Sequence, residues 1–351
     1  MSSIKRRPDG KWRARYRDSD GREHARHFGR KIDAQQWLES IVVDTATGRY
    51  VDPANDELTL RTYYDGYKKR QLWVHRTTAS VDQAIASTTF LDVPFGKLRV
   101  SHVEQWIREQ SESLAPSTIR TRLTQVRGVI RGAVGDRKLR EDVTAGVKPP
   151  KARRKQHAMT IPSVGAVSRL LGAVEDQYRP MFALCAYAGL RIGEACAVRL
   201  EDFDLDAGTL HVQRQVVRKE GGGSELGPPK AESERVVYLP AGLVAMLLEH
   251  IDFWGVEDQL FWAAGRKLMT GSSADFRWRQ ARDRTGITCK IHDLRHFYAS
   301  GLIAAGCDVV TVQRALGHSS ATITLDTYAH LWPSAEDRTR EAAATLMRVA
   351  S

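Results

Sequence analysis

No run in this sequence approaches the roughly 18 consecutive apolar residues of a membrane span, so no bilayer crossing is expected. Cysteine is scarce as well: Cys185, Cys196, Cys289 and Cys307 are scattered through 351 residues with no C-x-x-C pair. That spacing supplies neither a zinc ribbon nor a disulfide framework, and the four read as reduced thiols of a cytoplasmic protein. The basic N-terminal stretch MSSIKRRPDGKWR is followed by no apolar segment, which argues against secretion. There is no internal repeat, and Gly221-Gly222-Gly223 fits neither a phosphate-binding loop nor a dinucleotide fingerprint. The excess is of positive charge. Lys+Arg number 53 against 42 Asp+Glu, a formal net charge of +11, with 42% hydrophobic residues. The chain is therefore too apolar for wholesale disorder, long enough for two or three domains, and basic enough to make a polyanion the first partner to consider.

The charge is distributed with a pattern. Residues 1–52 read as a small sheet-plus-helix unit, twelve cations against seven carboxylates lying within residues 1–50. Trp12, Ala14 and Tyr16 alternate with Arg13, Arg15 and Arg17, the period of a strand with one apolar and one basic face. Asp18-Ser19-Asp20-Gly21 is turn chemistry before a second strand over 22–28. Asp33 with Gln36 reads as a capping box for a helix that buries Trp37, Leu38, Ile41 and Val42. The stretch 52–56 is a candidate linker, and 58–147 is helical throughout. Thr59 opens one helix, Ser101 with Glu104 another, and Pro116 a third. The third sets Ile119, Leu123, Val126, Val129 and Ile130 opposite Arg120, Arg122, Arg127 and Arg131. A second linker, 148–159, begins Lys148-Pro149-Pro150-Lys151-Ala152-Arg153-Arg154-Lys155, whose cations suit a phosphate backbone. From 160 to 351 the pattern is mixed and mainly helical. Helices are expected near 164–174 and 179–198 and from 241 onward, and strands near 209–217 and 235–239. The expected fold is thus multidomain: a small β-sheet plus helix, an all-α domain, and a mixed α+β domain.

Several groups in the last two hundred residues suit an anionic ligand. Arg191 lies in Gly189-Leu190-Arg191-Ile192-Gly193-Glu194, where glycines permit a tight turn beside a helix start. An Arg–Glu pair closing that helix would explain the same residues. In His292-Asp293-Leu294-Arg295-His296, His292 and Arg295 share one helix face. His292 and His296 also have zinc-pair spacing, with His318 a conceivable third ligand, but the metalloprotease pattern needs Glu where this chain has Asp293. The expectation is no metal. Residues 297–318 resemble a helix-turn-helix, which by itself needs no active site. Tyr328 follows in Thr327-Tyr328-Ala329-His330.

In this order, Gly-Leu-Arg191-x-Gly-Glu194, a lysine on a turn between strands, His292-x-Leu-Arg295-His, Leu-Gly-His318 and Tyr328 resemble the tyrosine recombinases, and specifically the phage integrases. The motifs span about 160–335. The segments 58–147 and 1–52 are similar in order and type to the family's core-binding and arm-binding domains. The resemblance implies a catalytic domain over 160–351 whose tail, from about 333, contacts another protomer or folds back on its own domain. It implies Tyr328 as a nucleophile that becomes joined to a DNA 3′ end, and Arg191 and Arg295 as forks on the nonbridging oxygens. It makes His292 the proton acceptor, His318 a phosphate hydrogen-bonder, and Lys230 the donor to the departing 5′ oxygen. Glu194 would orient one of these groups. Arg13, Arg15, Arg17, Arg120, Arg127, Lys151, Arg153 and Arg154 are candidate DNA contacts. The resemblance further implies core- and arm-type attachment sites on double-stranded DNA, a homotetramer on that DNA, and no cofactor. A host DNA-bending factor and an excision directionality factor are candidate accessory partners. Phosphodiester transfer needs cations where charge builds on the phosphate, which fits this set. The alternatives are a chromosome-dimer resolvase, a type IB topoisomerase, and a non-catalytic helix-turn-helix regulator.

Overall fold

The computed structural model describes residues 2–18, 21–47, 50–150, 161–219, 222–229, 233–256, 258–332, 339–340, 343–345 and 347–348. The chain divides into two compact units, Met1–Lys155 and Gln156–Ser351. Among the described residues no helix is long and apolar enough to cross a membrane.

The first unit holds two separate cores. An antiparallel sheet of β1 (Ser2–Arg6), β2 (Trp12–Arg17) and β3 (Glu23–Phe28) packs on helix α1 (Lys31–Ala46) around Ala14, Tyr16, Ala34 and Leu38. Alternation in β2 sets Ala14 and Tyr16 inward, as its sequence predicts, while β1 is a strand its sequence did not announce. The start of α1 differs from expectation. Its N-cap is Arg30, and Asp33 sits in the first turn, taken up by the Arg30 guanidinium at 2.7 and 3.0 Å. Val42 is exposed, outside the expected buried stripe.

Four helices follow: α2 (Leu60–Lys69), α3 (His75–Ala86), α4 (Val100–Gln110) and α5 (Pro116–Gly135). Thr59 caps α2 through the Thr62 N–H. The expected box at Ser101 and Glu104 is not the one used: α4 begins two residues earlier than that box requires, and the Arg99 N–H donates to His102 Nδ1. All five predicted apolar positions of α5 are buried. Its basic face is partly spent inside the unit. Arg131 pairs with Asp142, Arg122 donates to Gln110, and Arg127 donates to Thr144 Oγ1 and to the carbonyls of Thr144 and Val147. Arg127 thus fastens the segment after α5, a correction to its place on an open basic surface.

In the second unit α6 (Val164–Ala173) and α7 (Arg179–Tyr187) lead to a break and the single turn α8 (Ile192–Ala195). The continuous helix expected over 179–198 is therefore two. The expected strand 209–217 is also divided. Gln213 and Arg214 both turn to Asp202, at 2.8 Å each, which ends β5 (Thr209–Val212) and starts β6 (Gln215–Arg218) afresh. β4 (Phe203–Asp204), β5 and β8 (Arg235–Tyr238) form one sheet, and β6 pairs with β7 (Ser224–Gly227) as a hairpin built from the glycine-rich connection. Then come α9 (Ala241–Trp254), a two-stranded ribbon of β9 (Trp262–Ala263) and β10 (Lys267–Leu268), α10 (Gly271–Thr285), α11 (Ile291–Ala304), α12 (Val309–Leu316) and α13 (Ala321–Tyr328). The core joins α6, α7, α9, α10 and α11, with Phe182 against Trp278 at 4.9 Å. Cys185, Cys196 and Cys289 are buried and, with Cys307, unpaired.

Candidate active site

The break after α7 starts the site. Gly189 adopts φ +68°, and a Cβ there would collide with the Tyr298 ring on α11, so this turn demands glycine. It leaves Arg191 as the N-cap of α8 in extended conformation. The Arg191 N–H donates to Glu194 Oε2 at 2.9 Å, and its guanidinium donates to Glu194 Oε1 at 2.7 Å, Ser233 Oγ at 3.1 Å and the Gly317 carbonyl at 3.2 Å. Arg191 thus pairs with Glu194 at the start of α8 and also lines a cleft.

Arg295 comes from the second turn of α11. It is 2% exposed and donates to the carbonyls of Gly189 and Leu316. Arg235 opens β8 and shares its inward face with Val237. Its guanidinium reaches the Ala315 carbonyl at 3.0 Å, the Ser233 carbonyl at 3.1 Å and Glu194 Oε2 at 3.0 Å. Three successive carbonyls at the end of α12, those of Ala315, Leu316 and Gly317, thus each accept from a different guanidinium. A helix C-terminus leaves its last carbonyls without intrahelical partners and carries partial negative charge, so it is a natural anchor for cations. Gly317, at φ +61°, ends α12, and a Cβ on it would lie 2.9 Å from Arg235 Cδ.

The arrangement is cationic at its centre. Burial alone would raise the pKa of Glu194, but the Arg235 charge and the hydrogen bonds from both arginines outweigh it and hold the carboxyl below its ordinary value. One carboxylate against three guanidiniums leaves positive charge in excess. Burial, followed by repulsion from Arg191 and Arg235, pulls Arg295 down to about 9, still charged at neutral pH. A bound anion would relieve that repulsion.

The three histidines of the cleft are all lowered from their ordinary pKa. Burial, then the three arginine charges, lower His318 to about 4, and its ring is fixed by Thr324 Oγ1 at 2.9 Å. Burial and then Arg295 lower His292. Burial and then His292 lower His296 to about 4. Tyr328 ends α13, is 1% exposed, and is pushed up to about 12 by burial against the pull of Arg295. Its hydroxyl lies 2.7 Å from His296 Nδ1.

Arg191, His292, Arg295, His318 and Tyr328 line one cleft of about 360 Å³. Four separate segments supply them. Lys230 lies outside the described residues, although Ser233, three positions on, is tied to Arg191. Two polar participants, Arg235 and His296, escape a reading of the motifs. A signal existed for Arg235, a charged residue in register with the buried face of a strand; for His296 there was only its presence in the motif. Of the expected DNA contacts, Arg17 and Arg120 are exposed. Arg13 and Arg15 approach Glu23 at 3.6 Å, and Arg15 also donates to Ser3 Oγ. Lys151, Arg153 and Arg154 lie outside the described residues, as do Ala335, Ala342, Leu346 and Val349 of the tail, whereas Ala343 and Met347 are exposed.

The chain is similar to several known proteins. The phage integrase family matches residues 165–334, and the phage integrase N-terminal domain matches 2–46. A putative prophage phiRv2 integrase of Mycobacterium tuberculosis is 25% identical over 367 residues, covering 99% of this chain and 95% of the relative. The tyrosine recombinase XerD of Bifidobacterium longum is 31% identical over 249 residues, covering 66% of this chain and 77% of the relative. Among solved structures, the Tn1549 transposon integrase in complex with transposon right end DNA superposes with a TM-score of 0.70 at 18% identity, over 84% of this chain and 100% of that one.

Proposed function

Because the chain belongs to the phage integrase family of tyrosine recombinases, which cut and rejoin DNA strands, we propose that it is a site-specific integrase whose nucleophile is Tyr328. The observation that carries this reading is the convergence of Arg191, His292, Arg295, His318 and Tyr328 on one cationic cleft.

In the proposed reaction a DNA phosphodiester sits on Arg191 and Arg295, with His318 as a further hydrogen-bond partner. Planar guanidiniums hold nonbridging oxygens two at a time and stay charged, which stabilises the charge that builds there during attack. The phenolic oxygen of Tyr328 gives its proton to His292 and bonds to phosphorus, the bond to the 5′ oxygen breaks, and that oxygen leaves as a hydroxyl after taking a proton from Lys230. Ser233, three positions after Lys230 in the sequence, is hydrogen-bonded to Arg191, which supports this role. Glu194 orients Arg191 and Arg235. A 3′-phosphotyrosine conserves the phosphodiester bond, so a second strand's 5′ hydroxyl can displace the tyrosine.

Exchange between two duplexes cuts four strands and so calls for a homotetramer. Residues 1–52 would engage arm-type sites through Arg13, Arg15 and Arg17, and residues 58–147 core-type sites, with Arg120 the candidate contact there. The linker over 148–159 would contribute Lys151, Arg153 and Arg154 to the phosphate backbone. A DNA-bending factor and a directionality factor are the accessory partners of this reading.

The test is a trapping assay on a nicked suicide duplex from the protein's own attachment region, resolved on a denaturing gel. The wild type is expected to give a covalent adduct and Tyr328→Phe none. Specific binding without an adduct would favour a non-catalytic regulator, and an adduct without strand exchange a topoisomerase.

A further inference from the structure

The reacting hydroxyl touches an imidazole, and it is not that of His292. Tyr328 Oη and His296 Nδ1 are 2.7 Å apart, inside the range of a well-formed hydrogen bond. Two features hold His296 in place. It lies one helical turn beyond His292 on α11, and the two rings meet edge to face with centroids 4.7 Å apart. Tyr328 itself is buried, and the ring of His296 stands 5.6 Å from its own, centroid to centroid.

We propose that His296 is a residue that holds the Tyr328 hydroxyl in a protonated, resting position, from which it must be released to attack the phosphate. The inference rests on Tyr328 being the nucleophile. Chemistry favours holding over activation. A group that takes a proton in the transition state works best with a pKa near the working pH. His296 stands near 4 and the phenol near 12, so transfer between them in this arrangement is strongly uphill, while a neutral hydrogen bond is stable. A bond made in the resting state and lost on attack lowers the ground state alone, and so slows the step. No proton leaves Tyr328 to His296 in this account. The phenol is withheld, and the anionic phosphate on Arg191 and Arg295 supplies the counter-attraction that draws the oxygen away.

Leucine and asparagine have nearly the same shape, but only asparagine can hydrogen-bond to the hydroxyl. Single-turnover adduct formation on the suicide duplex is therefore compared for wild type, His296→Leu, His296→Asn and Tyr328→Phe, with affinity for the duplex measured alongside. A net hydrogen bond of ordinary strength gives His296→Leu a cleavage rate roughly three- to tenfold above wild type, with His296→Asn near wild type and affinity unchanged in both. Slower cleavage by His296→Leu would overturn the proposal in favour of proton acceptance by His296. Equal rates for the Leu and Asn variants would overturn it as well, as would loss of DNA affinity in either, since that marks a structural role. An adduct persisting in Tyr328→Phe would instead remove the nucleophile assignment beneath it.

Discussion

Arg295 serves two purposes with one side chain. Both terminal nitrogens donate to backbone carbonyls, of Gly189 and Leu316, and the same buried group lines the cleft beside Arg191. Arg295→Lys keeps the charge but not the fork, so one of those carbonyls loses its partner. The variant is expected to be less stable by about 1–3 kcal/mol in urea denaturation. Adduct formation should fall by about 10²–10³, the usual effect of removing one transition-state donor. An unchanged urea midpoint would mean that the lysine finds both carbonyls. At this scale residue type and spacing singled out Arg191, Arg295, His318 and Tyr328, which line one cleft. The sequence could not say which of two imidazoles four residues apart would meet a tyrosine 32 positions beyond His296, because that depends on how α11 and α13 pack.

Elements were legible where their ends are local and obscure where tertiary partners cut them. The buried stripe of α5 and the Thr59 cap of α2 follow from side chains within a few positions. The division of α7 from α8 does not follow from propensity alone. It depends on Gly189, which adopts a left-handed conformation beneath a ring more than a hundred positions away. Gly189→Ala combines a strained φ with a steric conflict, and the expected loss is about 2 kcal/mol or more, read from the thermal or urea midpoint. Adduct formation should fall with it, because Arg191 takes its place from that turn. Likewise Asp202 ends β5 by attracting Gln213 and Arg214, an interruption set by a residue outside the strand pattern.

For the whole molecule, charge and order of segments anticipated the architecture, while the internal use of Arg127 could not be separated from a basic surface by pattern alone. The histidines of the cleft predict a pH response. His296 and His318 stand near 4 in the folded chain, and His292 is lowered in the same direction from its ordinary 6.5. Between those values the unfolded chain binds more protons than the folded one, so this stability is fully present above about pH 6.5 and is lost as pH falls toward 4. The urea midpoint is expected to be level above pH 7 and to decline from about 6.5 downward, with Glu194 adding to the decline below about 4.5. A midpoint flat to pH 5 would show that the three imidazoles keep their ordinary pKa in the folded chain.

The three carbonyls that end α12 also set when a chain emerging from the ribosome becomes able to cut. Arg191 precedes Gly317 by 126 positions, and Arg235 precedes Ala315 by 80. Until α12 has been made and folded, those guanidiniums have only Glu194 and Ser233 to direct them, and Tyr328 arrives later still. On the proposed reading, a chain truncated before Tyr328 is expected to bind DNA through its charge and to form no covalent adduct.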